Sequence, residues 1–299
     1  MEISKQKIKA VCFGEVLFDN FLTYSKIGGA LLNVSVRLKS LGVDVSMISC
    51  VGDDSNGKEI IRYLKKMGID TSGILVQHEY PTGLVNVLLD KKGVASYDIP
   101  YPVAWDKIVM LETHQDLVKD SDVIIFGSLA CRHAITRSTL KSILKHVHYK
   151  VFDVNLRVPY YTYELIIDLM KESNFIKFND DELFEVADYL GCKNNSIEQI
   201  ISFIAKISGT DSICVTKGAY GAVLYTKGNF YYNSGYRIKV LDTVGAGDSF
   251  LASVVYKLMN GDGPQDALNF GCAVGALIAG GKGANLKLSK HKIYKFMNP

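Results

Sequence analysis

The sequence predicts a doubly wound α/β fold, a mainly parallel central sheet with helices on both faces and a small β lid beside it. Three observations lead there. Short apolar runs of four to seven residues alternate with helical patterns through most of the chain, the order that builds a parallel sheet. One stretch breaks the alternation: two β-like runs at 83–89 and 94–99 are joined by Asp90-Lys91-Lys92-Gly93 with no helix between, so they cannot be parallel neighbours. The 299 residues, 48% hydrophobic and 22% charged, suffice for one large soluble domain with a substantial core.

The first strand is expected at 8–13, where apolar residues run up to Gly14. It delivers Glu15 and Asp19 to the end of the sheet where open α/β folds bind ligands. Gly28-Gly29-Ala30-Leu31-Leu32-Asn33 leads into a helix marked by Val34, Val36, Leu38 and Leu41 and stopped by Gly42. A strand follows at 45–51, then a helix through Ile60, Ile61, Leu64 and Met67 that ends at Gly68. Residues 16–26 and 83–100 form either the small lid or an antiparallel extension of the main sheet's edge. From Asp122 the alternation resumes, with strands at 123–126, 151–154, 175–178 and 212–216 and helices at 136–147, 163–171, 181–189 and 197–207. A hairpin is expected at 221–225 and 229–232, and two apolar helices, from Ser249 and over 265–279, close the chain. No repeat or linker interrupts it, so 1–299 reads as a single domain.

A formal net charge of +3 is too small to argue for nucleic acid or an anionic membrane. The six cysteines are far apart, without a C-x-x-C, and most lie in apolar runs, which predicts buried free thiols. The histidines form no metal motif. The N-terminal lysines pass directly into a strand, unlike a signal peptide, and the uncharged stretch 269–281 is too short and glycine-rich to span a bilayer. The expected setting is cytoplasmic.

Asp242-Thr243-Val244-Gly245-Ala246-Gly247-Asp248-Ser249-Phe250 concentrates the chemistry. Two glycines open a helix whose apolar face is Phe250, Leu251, Val254, Val255 and Leu258. The first turn of such a helix attracts anions through unpaired N–H groups and its dipole. Asp248 would repel an anion, so it needs a purpose: taking a proton from the group that attacks a phosphate, or simply capping the helix together with Ser249. The P-loop pattern is absent, and a dinucleotide G-x-G-x-x-G would need glycine where Phe250 stands and should open the first βα unit, whereas this loop lies near the end, which disfavours a nicotinamide oxidoreductase.

These nine residues resemble the C-terminal signature of the ribokinase-like (PfkB) carbohydrate kinases. Gly28-Gly29-x-x-x-Asn33, with its helix and Leu41-Gly42, is similar to that family's N-terminal glycine motif. Asn179-Asp180-Asp181-Glu182 matches its N-x-x-E element, and Thr216-Lys217-Gly218-Ala219-Tyr220-Gly221 its nucleotide loop. The four occur in family order and the resemblance covers essentially the whole chain. Gly14 to Asp19, Val103 to Asp106, Ser128 to Arg132 and Asp153-x-Asn155-Leu156-Arg157 look most like bacterial fructokinases.

The resemblance implies an ATP- and Mg²⁺-dependent kinase acting on a primary hydroxyl of a monosaccharide, fructose first among candidates. 2-Keto-3-deoxygluconate, tagatose, ribose or a nucleoside stand as alternatives, and a non-catalytic sugar sensor is the reading from another class. Asp248 would be the base, with N–H groups from Gly245, Ala246, Gly247 and Asp248 holding the transferred charge. Asn179 and Glu182 would organise Mg²⁺ and its waters, although their spacing is also that of a capping box. Thr216, Lys217, Gly218, Gly221 and Cys272 would line the nucleotide. Asp19, Gly28, Gly29 and Asn33 would bind the sugar, with Arg132 and Arg157 for sugar or phosphate, or else tied up in ion pairs. Trp105, the lone tryptophan, is expected to be a packing anchor. Asp242 would hold a monovalent cation such as K⁺, although Lys287 nearby would weaken or replace it. Cys272 stands where relatives carry an asparagine near adenine, and Ser128 to Arg132 lacks the acidic residue of ribokinases, which argues against ribose. Family members often dimerise through the lid.

Overall fold

The computed structural model describes residues 7–21, 23–89 and 95–298. The chain runs β1 (Lys9–Phe13), β2 (Leu17–Asn20), β3 (Ser25–Gly28), α1 (Ala30–Ser40), β4 (Asp44–Gly52), α2 (Ser55–Lys66), β5 (Ile74–Gln77), β6 (Gly83–Leu89), β7 (Ala95–Asp98) and α3 (Glu112–Lys119). It continues with β8 (Val123–Gly127), α4 (Ala134–Ile143), β9 (Lys150–Asp153), α5 (Tyr163–Lys171), β10 (Phe175–Asn179), α6 (Asp180–Tyr189), α7 (Ile197–Ser208) and β11 (Ser212–Thr216). β12 (Ala222–Thr226), β13 (Asn229–Asn233), α8 (Ala246–Met259), α9 (Pro264–Ala279) and α10 (Lys290–Met297) complete it.

Among the described residues the strands form two sheets. Nine make the central one, in the order β13-β12-β11-β10-β9-β8-β1-β4-β5, parallel except where β12 and β13 join antiparallel at one edge. From β1 the chain first builds one way through β4 and β5, then the other way from β8. The reversal between β1 and β8 is the switch point where such sheets open a crevice at their carboxyl ends. A separate four-stranded sheet, β3-β2-β6-β7, is assembled from stretches 17–28 and 83–98. The expected hairpin turn at 90–93 and strand residue 94 lie outside the described residues.

Strand alternation sets the layers. Ala10 and Cys12 face the layer of α1, α2, α8 and α9, packing with Leu31, Ile60, Leu251 and Leu268. Val11 and Phe13 face the opposite layer, with Leu140, Ile166, Leu183 and Ile201 from α4 to α7. Phe126 and Phe152 stack there with ring centres 5.4 Å apart. Each such fully buried side chain contributes roughly 1.5–3 kcal/mol. Trp105, fully buried with Leu17 and Val85, anchors the small sheet to the body. Gly83 passes so close that a Cβ there would lie 2.4 Å from the indole nitrogen.

Three elements escape the sequence expectation: β5, α3 and α10. The chain therefore closes on three helices rather than two, and α8 begins at Ala246 rather than Ser249. No described helix is long and apolar enough to cross a membrane.

Candidate active site

The stretch 242–250 folds as a loop closed on the N-terminus of α8. Gly245 is left-handed (φ 73°), and a Cβ on it would come 2.3 Å from that of Ala284, so only glycine fits. The Ala246 N–H donates to the Thr243 carbonyl at 3.2 Å, and the helix ladder begins with Ser249 donating to Gly245 at 2.9 Å. Ala246 is thus removed from the expected anion donors, while the Gly247 and Asp248 N–H groups lie in the first turn, outside that ladder. Asp242 fastens the loop's entrance, accepting from Val244 N–H and Gly283 N–H, each at 3.0 Å. Lys287, expected beside it, is exposed.

Asp248 projects from this turn toward three other elements. The Asn33 amide of α1 donates to its Oδ2 at 2.8 Å. Burial pushes the carboxyl up to about 6, Asp153 adds to the rise, and Asn33, Lys177 and Arg157 oppose it. Lys177 was not foreseen. It is buried in β10, directly across the ladder from Asp153 of β9, and the two pair at 2.9 Å. Its ammonium would stand 3.7 Å from a Cβ on Gly247, so glycine there leaves the charge open to the anion loop. The remaining oxygen of Asp153 is buried without a hydrogen-bond partner.

Asn179 and Glu182 form the capping box of α6: the Asn179 side chain accepts from Glu182 N–H and Glu182 Oε2 from Asn179 N–H, both at 2.8 Å. Glu182 Oε1 also accepts from Leu156 N–H at 3.1 Å. The structure gives both residues the capping role that their spacing allowed. Asp153 Oδ2, buried without a partner, is a further acceptor suited to a cation or its water shell.

The sugar end is rich in carboxylates. Glu15, just past β1, is buried with Oε2 unpartnered, and burial raises it to about 7. Asp19 on β2 is raised to about 6 by the same cause. Arg157 opposes the rise in Glu15, Asp19 and Asp248 alike, so its positive charge is felt by all three. The loop that carries it turns at Asn155 (φ 41°), a conformation asparagine tolerates. Gly28 and Gly29 shape this wall from behind, since a Cβ would reach 2.2 Å from Asp19 Oδ2 and 2.6 Å from the Glu15 carbonyl, respectively.

Residues 9–291 match the model of the pfkB family carbohydrate kinases. The chain belongs to that family. A sugar kinase of Pyrococcus horikoshii is 30% identical over 78% of this chain and 73% of its own. The crystal structure of that protein with ATP, described as an uncharacterized sugar kinase, superposes with a TM-score of 0.83 over 96% of this chain and 99% of its own, at 25% identity. Fructokinase-2 of Oryza sativa is 28% identical, covering 92% and 89% of the two chains. The 5-dehydro-2-deoxygluconokinase of Halalkalibacterium halodurans is 25% identical, covering 87% and 82%. The protein is a sugar kinase with the ribokinase-like fold.

Against this pfkB framework some expected residues take other places. Arg132 takes the ion-pair alternative: with a side chain only 3% exposed, it pairs with Asp106 at 2.7 and 2.8 Å and donates to the Pro100 carbonyl. It also lies over the rings of Tyr101, Trp105 and Tyr160. Gly221 is glycine for the fold, because a Cβ would fall 1.9 Å from the Asn233 carbonyl. Gly218, left-handed at φ 53° with open space beside it, keeps room for a ligand. Thr216 ends β11 with its hydroxyl on the Phe178 carbonyl, and Lys217 takes Gly221's carbonyl through its N–H. Cys272 is buried on α9, near enough to Lys217 to feel its charge. Asn33 spends its amide on Asp248 and its carbonyl on Asn285, a partner the sequence reading did not include. A lysine inside the apolar run Phe175-Ile176-Lys177-Phe178 was the signal for the other omission.

Proposed function

We propose that this sugar kinase transfers the γ-phosphoryl group of ATP to a primary hydroxyl of fructose, with Asp248 as the base. The carrying observation is Asp248 itself, aimed from the first turn of α8 with Lys177 on one side and Asn33 on the other. The hydroxyl proton passes to the carboxylate, the new O–P bond forms as the bridging Pβ–O–Pγ bond breaks at Pγ, and ADP leaves. Such transfers are loose and depend on positioning and charge neutralisation. The Gly247 and Asp248 N–H groups and the Lys177 ammonium supply that neutralisation from the protein. Mg²⁺ would be held through water by Asp153 Oδ2 and the Asn179–Glu182 corner, and when bound it neutralises phosphate charge. The four-stranded sheet, which carries Asp19, serves as the lid over the sugar.

Fructose is favoured by the acid-rich sugar end. Glu15, Asp19 and Asp248 offer acceptors to the hydroxyls of a neutral ketose and repel a sugar acid. Arg157 supports the second reading, a keto-deoxy acid whose carboxylate it would take. An ADP-release assay over fructose, tagatose, ribose, adenosine, 2-keto-3-deoxygluconate and 5-dehydro-2-deoxygluconate tests this. Fructose should lead the acids in kcat/KM by about tenfold or more, a margin of about 1.4 kcal/mol. An acid in first place would overturn the choice of sugar, and no turnover with any of them would overturn the kinase mechanism proposed.

A further inference from the structure

Behind Asp248 lies a chain of side-chain amides with a fixed polarity. A carboxylate can only accept, so the Asn33 group facing Asp248 Oδ2 at 2.8 Å must be its NH₂. The Asn33 carbonyl then points away and accepts from the Asn285 amide at 3.0 Å. Asn285 in turn meets the hydroxyl of Tyr63 on α2. The segment bearing Asn285 is pinned independently: Arg37 donates to the Leu286 carbonyl at 2.9 Å, Gly283 donates to Asp242, and Ala284 packs on Gly245. Asn33 is 5% exposed, so no bulk water competes to turn its amide around.

We propose that Asn285 is a positioning residue for phosphoryl transfer: by donating to Asn33 it locks that amide with NH₂ on Asp248 Oδ2 and reserves Oδ1 for the substrate's proton. The proposal rests on Asp248 being the base. It makes a prediction that simple packing does not. Aspartate at position 285 has the shape of asparagine but only acceptors, so Asn33 must turn its NH₂ toward it and present its carbonyl oxygen to Asp248. Leucine removes the donor without demanding that reversal. The other groups that set the charge on Asp248, namely Asp153 of β9, Arg157 of the loop after β9, Lys177 of β10 and Glu15 beyond β1, are untouched by either change.

The test is the pH profile of turnover for Asn285→Asp and Asn285→Leu; salt screens a charge beside a buried group only weakly, so the uncharged leucine variant separates the orientation of the amide from the added charge. Asn285→Asp should lower kcat about ten- to hundredfold, leave KM for sugar and ATP near the parent's, and move the acid limb up by about one pH unit. Asn285→Leu should cost about three- to tenfold, with a smaller shift in the same direction. An unmoved acid limb in Asn285→Asp, or a greater loss in Asn285→Leu, overturns the proposal. If Asn285→Asp fails to fold, the limb of Asn285→Leu decides in the same way. Asp248→Asn is the control: near-normal turnover there overturns the base assignment and this inference with it, whereas a large loss there beside an unmoved limb in the position-285 variants overturns this inference alone.

Discussion

Two buried ion pairs, Lys177–Asp153 and Arg132–Asp106, look alike by distance at 2.9 and 2.7 Å, yet they do different work. Arg132 is saturated: both oxygens of Asp106, a backbone carbonyl and three aromatic faces surround it, and Asp106 also accepts from Val103 N–H. Lys177–Asp153 leaves one carboxylate oxygen without a partner and an ammonium that also feels Glu182 and Asp248. A saturated pair spends its hydrogen bonds on holding the chain. An unsaturated pair beside a loop that strips its own side chains is a site waiting for a ligand.

Removing both members of a pair avoids stranding a lone buried charge, and this gives the sharpest contrast. Lys177→Met/Asp153→Asn should cut turnover about a hundredfold with unfolding free energy within about 2 kcal/mol of the parent. Arg132→Met/Asp106→Asn should behave inversely, losing about 2–4 kcal/mol to unmade hydrogen bonds and cation–π contacts while turnover of the folded enzyme stays within severalfold. Steady-state kinetics and denaturant unfolding on the same preparations read both. A reversed pattern would mean that the roles have been exchanged. A third, smaller effect separates fold from site inside the nucleotide loop: Gly221→Ala should cost roughly 1–3 kcal/mol because its Cβ has no space, whereas Gly218→Ala should chiefly raise KM for ATP.

The sign of pH effects also divides the molecule. Glu15, Asp19 and Asp248 have carboxyls raised in the folded state, to about 7, 6 and 6. The native state then binds more protons than the unfolded chain, so their stabilisation is complete below about pH 4 and is lost as pH rises through 6 to 7. Turnover runs the other way, falling as Asp248 protonates below about pH 6. Glu15→Gln should therefore raise unfolding free energy at pH 8 by about 1–3 kcal/mol and flatten its dependence between pH 5 and 8. Unfolding measured at pH 5 and 8 checks this, and a loss of stability at pH 8 would contradict it.

How much of this was legible in the sequence depends on how local each signal is. α5 and β11 fall where 163–171 and 212–216 were expected, because apolar period and flanking residues agree there. β5 is a four-residue strand, and α10 buries only Ile293 among lysines, so neither carries enough apolar pattern to stand out. Asp248, Gly245 and Gly247 were readable because one short loop holds them. Lys177 and Asp153 are 24 residues apart and meet only through the β9–β10 register. Arg132 was left open for the same reason: a cation near a fructokinase-like motif suggests a ligand or an ion pair, and the partner it holds, Asp106, is 26 residues earlier. The capping role of Asn179 and Glu182 was visible in their spacing, whereas the unpartnered oxygen of Asp153 was not.

The most direct trial of Asp248 as the base is Asp248→Asn, assayed for ADP release with fructose beside ATP affinity and thermal unfolding. Turnover should fall by about a hundredfold or more, with nucleotide binding kept and the unfolding midpoint no lower than the parent's. Turnover near the parent's would show that the proton goes elsewhere and that Asp248 is not the base.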